Sequence, residues 1–438
     1  MIRGRYRNAW RVIARNAILG IAIAGAFSSS AWAERTIKLA IIGYISGAAA
    51  GSAGIPARDG AELVIDAINA GTLLGPYHSK GLAGARIDPL IIDEAGSTTQ
   101  VVANYRTLVQ QRHVNAVIGY QNSGNCLAVA PVAEELRALT IFSSCGTSRI
   151  FEGHSYHYVF RTAPMEIIGG VGAAHYIEKA YPQAKTYAGI NQNYAWGQDS
   201  WHQFGASMKA IDPGAKAVVA LWPKIFSGEY SAEISTLLID KPAIIHSSFW
   251  GGDLTAFLTQ AAARGLGKHS RLLLTLGEQN MFTTPKLIPN GSILAAEGAD
   301  GYFARKTPLN NWFRAAYEKR YGTPPIYPSY QAADALLGLK AAYDKAEKKA
   351  HKFPTIAEVG KALTHLSYEG LGEKIDMALG EGHQAVTATA LGTYEYDTKT
   401  GKPTMRKVVY FPAWCVNPPP GTKAVAWIEG GLKGAKCH

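Results

Sequence analysis

The chain has 438 residues, 47% of them hydrophobic and 18% charged, with a formal net charge of +11. That length suits two domains or more of ~100–200 residues each, and the composition is globular rather than disordered or fibrous. The positive charge is dispersed: no basic stripe interleaved with aromatics points to nucleic acid, and the lysines over 345–352 read as a solvated helix face.

The N-terminus carries Arg3, Arg5, Arg7, Arg11 and Arg15 before the first acid, Glu34. An apolar run over 17–27 follows, and then the triplet Ala31-Trp32-Ala33. A basic start, a short apolar core and a small-x-small end describe a secretory signal peptide over 1–33, cleaved before Glu34. The apolar run is shorter than the ~20 residues of a membrane-spanning helix. No cysteine stands at the cleavage site to carry a lipid. A soluble periplasmic protein is expected, and cleavage removes five of its positive charges.

The rest of the chain alternates strand and helix. A short apolar run over 36–43 ends in glycine and reads as a buried strand. Over 61–70, Leu63, Ile65, Ala67 and Ile68 alternate with Glu62, Asp66 and Asn69, the pattern of an amphipathic helix. Strands over 90–93, 116–119 and 140–143 then enclose helices over 101–112 and 127–136. Helices follow over 167–180, 197–211, 231–238 and 254–264, with strands over 186–190, 217–221, 243–247 and 271–276. The same βα rhythm runs twice, so the fold expected is α/β, with two doubly wound parallel-sheet lobes. Apolar strands suit sheets covered on both faces. The last third is less regular, with helices over 310–321 and 329–346, strand-like pieces from Thr389 and a Pro-rich tail at 418–420.

The four cysteines are Cys126, Cys145, Cys415 and Cys437, an even count in an exported chain that allows three pairings. The two local pairs, Cys126–Cys145 and Cys415–Cys437, are favoured, each worth roughly 3 kcal/mol by loop closure. Buried free thiols at Cys126 and Cys145 are the alternative.

Catalytic patterns fail. H-E-x-x-H, G-x-S-x-G and the P-loop are all missing from the sequence. Gly170-Val171-Gly172 lies inside a helical pattern rather than after a strand. His154 and His157 lack a supporting acid or cysteine cluster and read as surface or capping residues. No enzyme activity, cofactor or metal is expected.

Polar residues instead gather where strands give way to helices. Ligands of open parallel sheets bind beyond the carboxyl ends of the strands. There the first lobe offers Tyr120-Gln121-Asn122-Ser123-Gly124 and Ser143-Ser144-Cys145-Gly146-Thr147-Ser148. Helix N-termini at such turns favour an anion such as a carboxylate, although each turn taken singly is also an ordinary helix cap. The second lobe offers Asn193-Tyr194-Ala195-Trp196-Gly197, Phe249-Trp250-Gly251 and Gly277-Glu278-Gln279-Asn280. Its aromatics can cover an apolar ligand body, and Glu278 can pair with an ammonium.

These residues resemble a known family. Gly43-Tyr44-Ile45-Ser46-Gly47, Asp59-Gly60-Ala61-Glu62-Leu63 and Ala67-Ile68-Asn69 look like the opening of the leucine/isoleucine/valine-binding family of periplasmic ABC-transporter components. Ser123-Gly124, the run from Ala128 to Glu134, Phe160-Arg161-Thr162 and Asn193-Tyr194-Ala195-Trp196-Gly197 resemble its later segments. The resemblance implies a type I periplasmic-binding fold, its lobes joined by three crossovers and closing on ligand about a hinge. By the same resemblance, Ser123, Gly146 and Thr147 hold a ligand carboxylate, Trp196 lines the pocket and Glu278 binds the ammonium. Asn122, Cys145, Tyr194 and Trp250 complete the candidate ligand site. Ala53 stands where many members carry an aromatic, which enlarges the first lobe's side and favours a ligand bulkier than valine.

The expected organisation is a first lobe of 34–161 with 299–350, a second of 162–298 with 351–405, and a tail over 406–438. Crossings fall near 161–164, 295–302 and 345–355. The expected function is a monomeric solute-binding component that hands an amino acid or related small carboxylate to a membrane permease of an ABC-type importer. Binding of an aromatic carboxylate or amide, in transport or sensing, is the alternative. An exported enzyme on a similar fold is the third reading.

Overall fold

The structure is a computed structural model that describes residues 35–437. The signal peptide expected over 1–33, and its cleavage before Glu34, lie outside the described residues.

The first series runs β1 (Thr36–Gly43), α1 (Ile55–Ala70), β2 (Arg86–Asp93), α2 (Thr98–Gln110), β3 (Ala116–Gly119), α3 (Ser123–Glu135), β4 (Thr140–Phe142) and β5 (Val159–Arg161). A second follows as α4 (Ile167–Ala180), β6 (Thr186–Ile190), α5 (Ala195–Ile211), β7 (Lys216–Leu221), α6 (Ser231–Asp240), β8 (Ile244–Ser247), α7 (Gly251–Ala263), β9 (Arg271–Leu274) and β10 (Ile293–Ala295). Then come α8 (Pro308–Tyr321), α9 (Tyr327–Ala350), α10 (Ile356–Leu363), β11 (Ser367–Glu369), β12 (Lys374–Leu379), β13 (Gln384–Val386), β14 (Thr389–Asp397), β15 (Lys402–Phe411), α11 (Ala413–Val416) and α12 (Ala424–Glu429).

The strands form two sheets, ordered β11-β12-β13-β5-β4-β3-β1-β2 and β15-β14-β10-β9-β8-β6-β7. Each sheet is parallel at its centre, with antiparallel pairs at one edge: β11, β12 and β13 in the first, β14 and β15 in the second. Alternation explains the layering. Ile37, Leu39 and Ile41 of β1 enter the core shared with α1, α8 and α9, while Ala40 and Ile42 enter the opposite core under α2 and α3. A strand whose side chains serve two cores must be apolar almost throughout, as β1 is.

Helix ends follow their sequence signals. Ser97 and Gln100 close a capping box on α2, and Thr355 and Glu358 do the same for α10. Asn122 caps α3 by accepting from the N–H groups of Gly124 and Asn125. Among the described residues no helix is long and apolar enough to cross a membrane.

Two expectations about organisation are corrected. The segment over 351–405 is expected in the second lobe, yet β11, β12 and β13 extend the first sheet, where Gln384 pairs in parallel with Arg161. The third crossing therefore falls at Thr387-Ala388, between β13 and β14, and not over 345–355. Tyr368, Ile375, Met377 and Leu379 are buried along this edge; β11 and β13, of three residues each, are too short to show a period, while the six residues of β12 alternate buried and more exposed positions. The residues over 406–438 are also no loose tail. β15 pairs with β14 as far as Phe411, α11 packs on α4, and α12 packs on α5. Cys415 is bonded to Cys437 and Cys126 to Cys145, the two local pairs, and no described cysteine is free.

Candidate functional site

The loops after β3 and β4 of the first sheet are held in uncommon backbone conformations. Tyr120 has φ 65° and Cys145 φ 62°, left-handed values that cost a non-glycine residue about 1–3 kcal/mol when the surroundings enforce them. Those surroundings are visible. Buried Glu94 accepts from the N–H groups of Gln121 at 2.7 Å and Asn122 at 3.0 Å, and from Asn125 Nδ2 at 3.0 Å. Burial still pushes its carboxyl up to about 7. The Cys126–Cys145 bond ties the first turn of α3 to the β4 loop. From beneath, buried Arg161 on β5 donates through Nη1 to the carbonyls of Cys145 at 2.5 Å and Thr147 at 2.6 Å.

The second lobe answers with aromatics. Trp196, at the start of α5, donates through Nε1 to the Ser248 carbonyl at 2.8 Å, and Trp250 donates to Tyr194 Oη at 2.7 Å. Tyr44 from the first lobe meets Trp250 edge-on, with ring centroids 5.7 Å apart. Between these groups lies a cavity of about 10 Å³, room for scarcely one water. Both lobes and one of their connections line it, with Gln121, Ser144 and Gly146 from the first, Trp196 and Trp250 from the second, and Glu297 from the second crossover. A polar latch runs beside it. Asp199 on α5 accepts from Thr147 Oγ1 at 2.5 Å and from Arg149 Nε and Nη2 at 2.9 Å and 2.5 Å.

Of the residues expected at the site, Cys145, Gly146, Tyr194, Trp196 and Trp250 line this cavity together with Ala53. Asn122, Ser123, Thr147 and Glu278 are not among its lining residues. Asn122 acts as the cap of α3, and Ser123 Oγ accepts from the Thr147 N–H at 3.4 Å. The Thr147 hydroxyl is committed to Asp199. Glu278 differs most from its expected role. It is fully buried, and its two oxygens accept from the N–H groups of Tyr302 and Tyr327, each at 3.0 Å. Here this carboxylate braces the turn after the second crossover and the start of α9, away from the lining of the cavity.

Glu297 is the acid at the cavity, and the sequence reading passed over it. Its Oε2 accepts from Ser144 Oγ and Gln331 Nε2, each at 3.2 Å, while Oε1 is buried with no hydrogen-bond partner. Burial pushes this carboxyl up to about 7, against the opposing pull of Gln331, Arg161 and Ser144. The only signal in the sequence was its place just after a short apolar strand, within the expected second crossing.

A family model described as periplasmic binding protein matches residues 36–402. No curated protein sequence matches the chain. Among solved structures, an ABC-transporter solute-binding protein from R. palustris in complex with benzoate shares 21% identity at a TM-score of 0.73, covering 89% of this chain and 99% of its own. A second from R. palustris, in complex with 4-hydroxybenzoate, shares 18% at a TM-score of 0.72, covering 86% and 97%. A leucine-binding protein from Thermotoga maritima shares 17% at 0.69, covering 85% and 98%. Matched over most of its length and built as two mostly parallel α/β lobes of the type I arrangement, the chain belongs to the periplasmic binding protein family.

Proposed function

We propose that this chain is the periplasmic solute-binding component of an ABC-type importer, which captures a small solute between its lobes and presents it to a membrane permease. The observation that carries this reading is the cavity lined from both lobes and from a crossover between them. A site divided in this way is complete only when the lobes meet, so a ligand contacting both shifts the population toward closure. With space of about 10 Å³, intake of a solute requires the lobes to part about their three connections.

The solute proposed is an amino acid or related small carboxylate with a bulky body. Trp196, Trp250, Tyr194 and Tyr327 surround the cavity and suit an apolar or aromatic group. Gln121 and the backbone at Ser144 and Gly146 are polar lining for its acid end, the Ser144 hydroxyl itself donating to Glu297. A second reading, an aromatic carboxylate without an amine, draws support from the benzoate and 4-hydroxybenzoate complexes of the two R. palustris proteins. A thermal-shift screen of amino acids against benzoates tests both, since a ligand at ~100 times its Kd adds about 2.7 kcal/mol to stability. No shift with either class, or conversion of the ligand on long incubation, refutes the proposal.

A further inference from the structure

We infer that the cavity selects solutes carrying a cationic nitrogen, which Glu297 Oε1 receives among the rings of Trp196, Trp250 and Tyr327. The inference rests on the reading of this cavity as the solute site and names the chemistry that site prefers.

Three observations carry it. Glu297 is 6% exposed and lines the cavity, and its Oε1 is the oxygen that has no partner. The same atom lies 2.7 Å from where a Cβ on Gly146 would stand, so it sits where the two lobes meet. A buried carboxylate oxygen without a donor loses its hydration and gets nothing in return, unless a ligand supplies the donor. Next, the residues lining the cavity include no Lys, Arg or His. Arg161 does not line the cavity: its Nη1 donates to two carbonyls and its Nε to Gln384, while its buried Nη2 has no hydrogen-bond partner. A carboxylate entering alone would therefore face an acid with no cation on the wall to offset it. Finally, the walls are aromatic, and ring faces attract a desolvated cation. An acid and several rings around one small space favour an ammonium or amidinium over an anion.

The charged and titratable surroundings of Glu297 fit this assignment. Arg161 on β5 favours its ionised form, while the charge on Glu297 in turn disfavours ionisation of the buried Glu166 and Asp300. Tyr194 and Tyr327 are held neutral by burial. A cation would take over the role of the proton on Glu297. Its affinity should then rise about tenfold per pH unit up to about 7 and level off above.

The test uses the full chain and matched ligand sets: L-phenylalanine and L-leucine, the amines left by removing their carboxylates, and the acids left by removing their amino groups. Calorimetry at pH 6 and pH 8 should show the nitrogen-bearing members binding more tightly at pH 8 and the deaminated acids binding at least ~100-fold more weakly. Glu297→Gln, which keeps the shape, should weaken the amines and amino acids at least ~10-fold and abolish their pH dependence. Tighter binding of the deaminated acids or of benzoate, or affinity that falls as pH rises, overturns the inference, because a protonated Glu297 would then be donating to an anion. Failure of every nitrogen-bearing probe to bind overturns it as well. Trp196→Ala separates the two levels of the argument. If it weakens the anions, the site stands and the selectivity is wrong; if it changes no ligand's affinity, the cavity itself is not the site.

Discussion

Trp196 of the second lobe lies so close to Gly146 of the first that a Cβ on residue 146 would stand 2.2 Å from its Cζ3 atom. The indole cannot simply swing aside, because its Nε1 is bonded to the Ser248 carbonyl. Gly146→Ala should therefore hold the lobes apart while leaving each lobe folded. The expected result is a loss of ligand affinity of roughly tenfold, about 1.4 kcal/mol, with little change in melting temperature without ligand. Small-angle scattering should show a larger radius of gyration for the variant. An unchanged affinity would mean the indole repacks freely.

Asp199 joins the lobes through Thr147 and Arg149. Asp199→Ala removes three donors' acceptor at once and leaves the buried Thr147 hydroxyl proton without an acceptor, although its oxygen still accepts from the Arg149 N–H. Arg149 is 45% exposed at its side chain, so most of the loss comes from the Thr147 bond. Closure should weaken by about 1–3 kcal/mol, read as faster ligand release in stopped-flow fluorescence. Release at the native rate would show that the latch contributes nothing.

Glu278→Gln separates a brace from a ligand contact. Its amide would turn a donor toward one of the two backbone N–H groups that the carboxylate now satisfies. Stability should fall by about 1–3 kcal/mol in urea unfolding. Ligand affinity of the folded variant should stay within roughly threefold, about 0.7 kcal/mol. A loss of roughly hundredfold would restore the ammonium-binding role read from the sequence.

His246 on β8 is fully buried, stacked on Phe204 at 4.6 Å, and burial pushes its pKa down from 6.5 to about 3. A depressed pKa on a base means that the unfolded chain takes up a proton that the folded chain refuses. The stability contribution is therefore complete above pH 6.5 and is lost as pH falls toward 3. In His246→Gln the penalty disappears. The stability gap between wild type and variant should narrow by about 2 kcal/mol from pH 7 to pH 5. A gap that stays constant would place the proton elsewhere.

Much of the fold was legible because β1 and β3 serve two cores each and are largely apolar, and because the strand-to-helix alternation runs twice. The β11–β13 edge was not, since β11 and β13 have three residues each and carry no period, and Gln384 finds its partner 223 positions away at Arg161. The site divides in the same manner. Gly146, Trp196 and Trp250 sit at strand-to-helix turns, where topology alone directs attention. Glu297 gains its meaning only once the second crossover runs through the cleft and brings it to Ser144 and Gln331. Glu278 misled because a carboxylate beside aromatics reads the same whether its oxygens meet a ligand or the backbone N–H groups of Tyr302 and Tyr327.

The C-terminal segment packs α12 on the second lobe, yet the Ala424 N–H donates at 2.6 Å to Glu152 Oε1 in the loop between β4 and β5 of the first. That bond joins the two lobes, and neither Glu152 nor Ala424 lines the aromatic cavity. A dye placed on the neighbouring Lys423 would thus change its surroundings each time the lobes swing, without touching the captured molecule. The protein could in this way be made to report solute concentration as light.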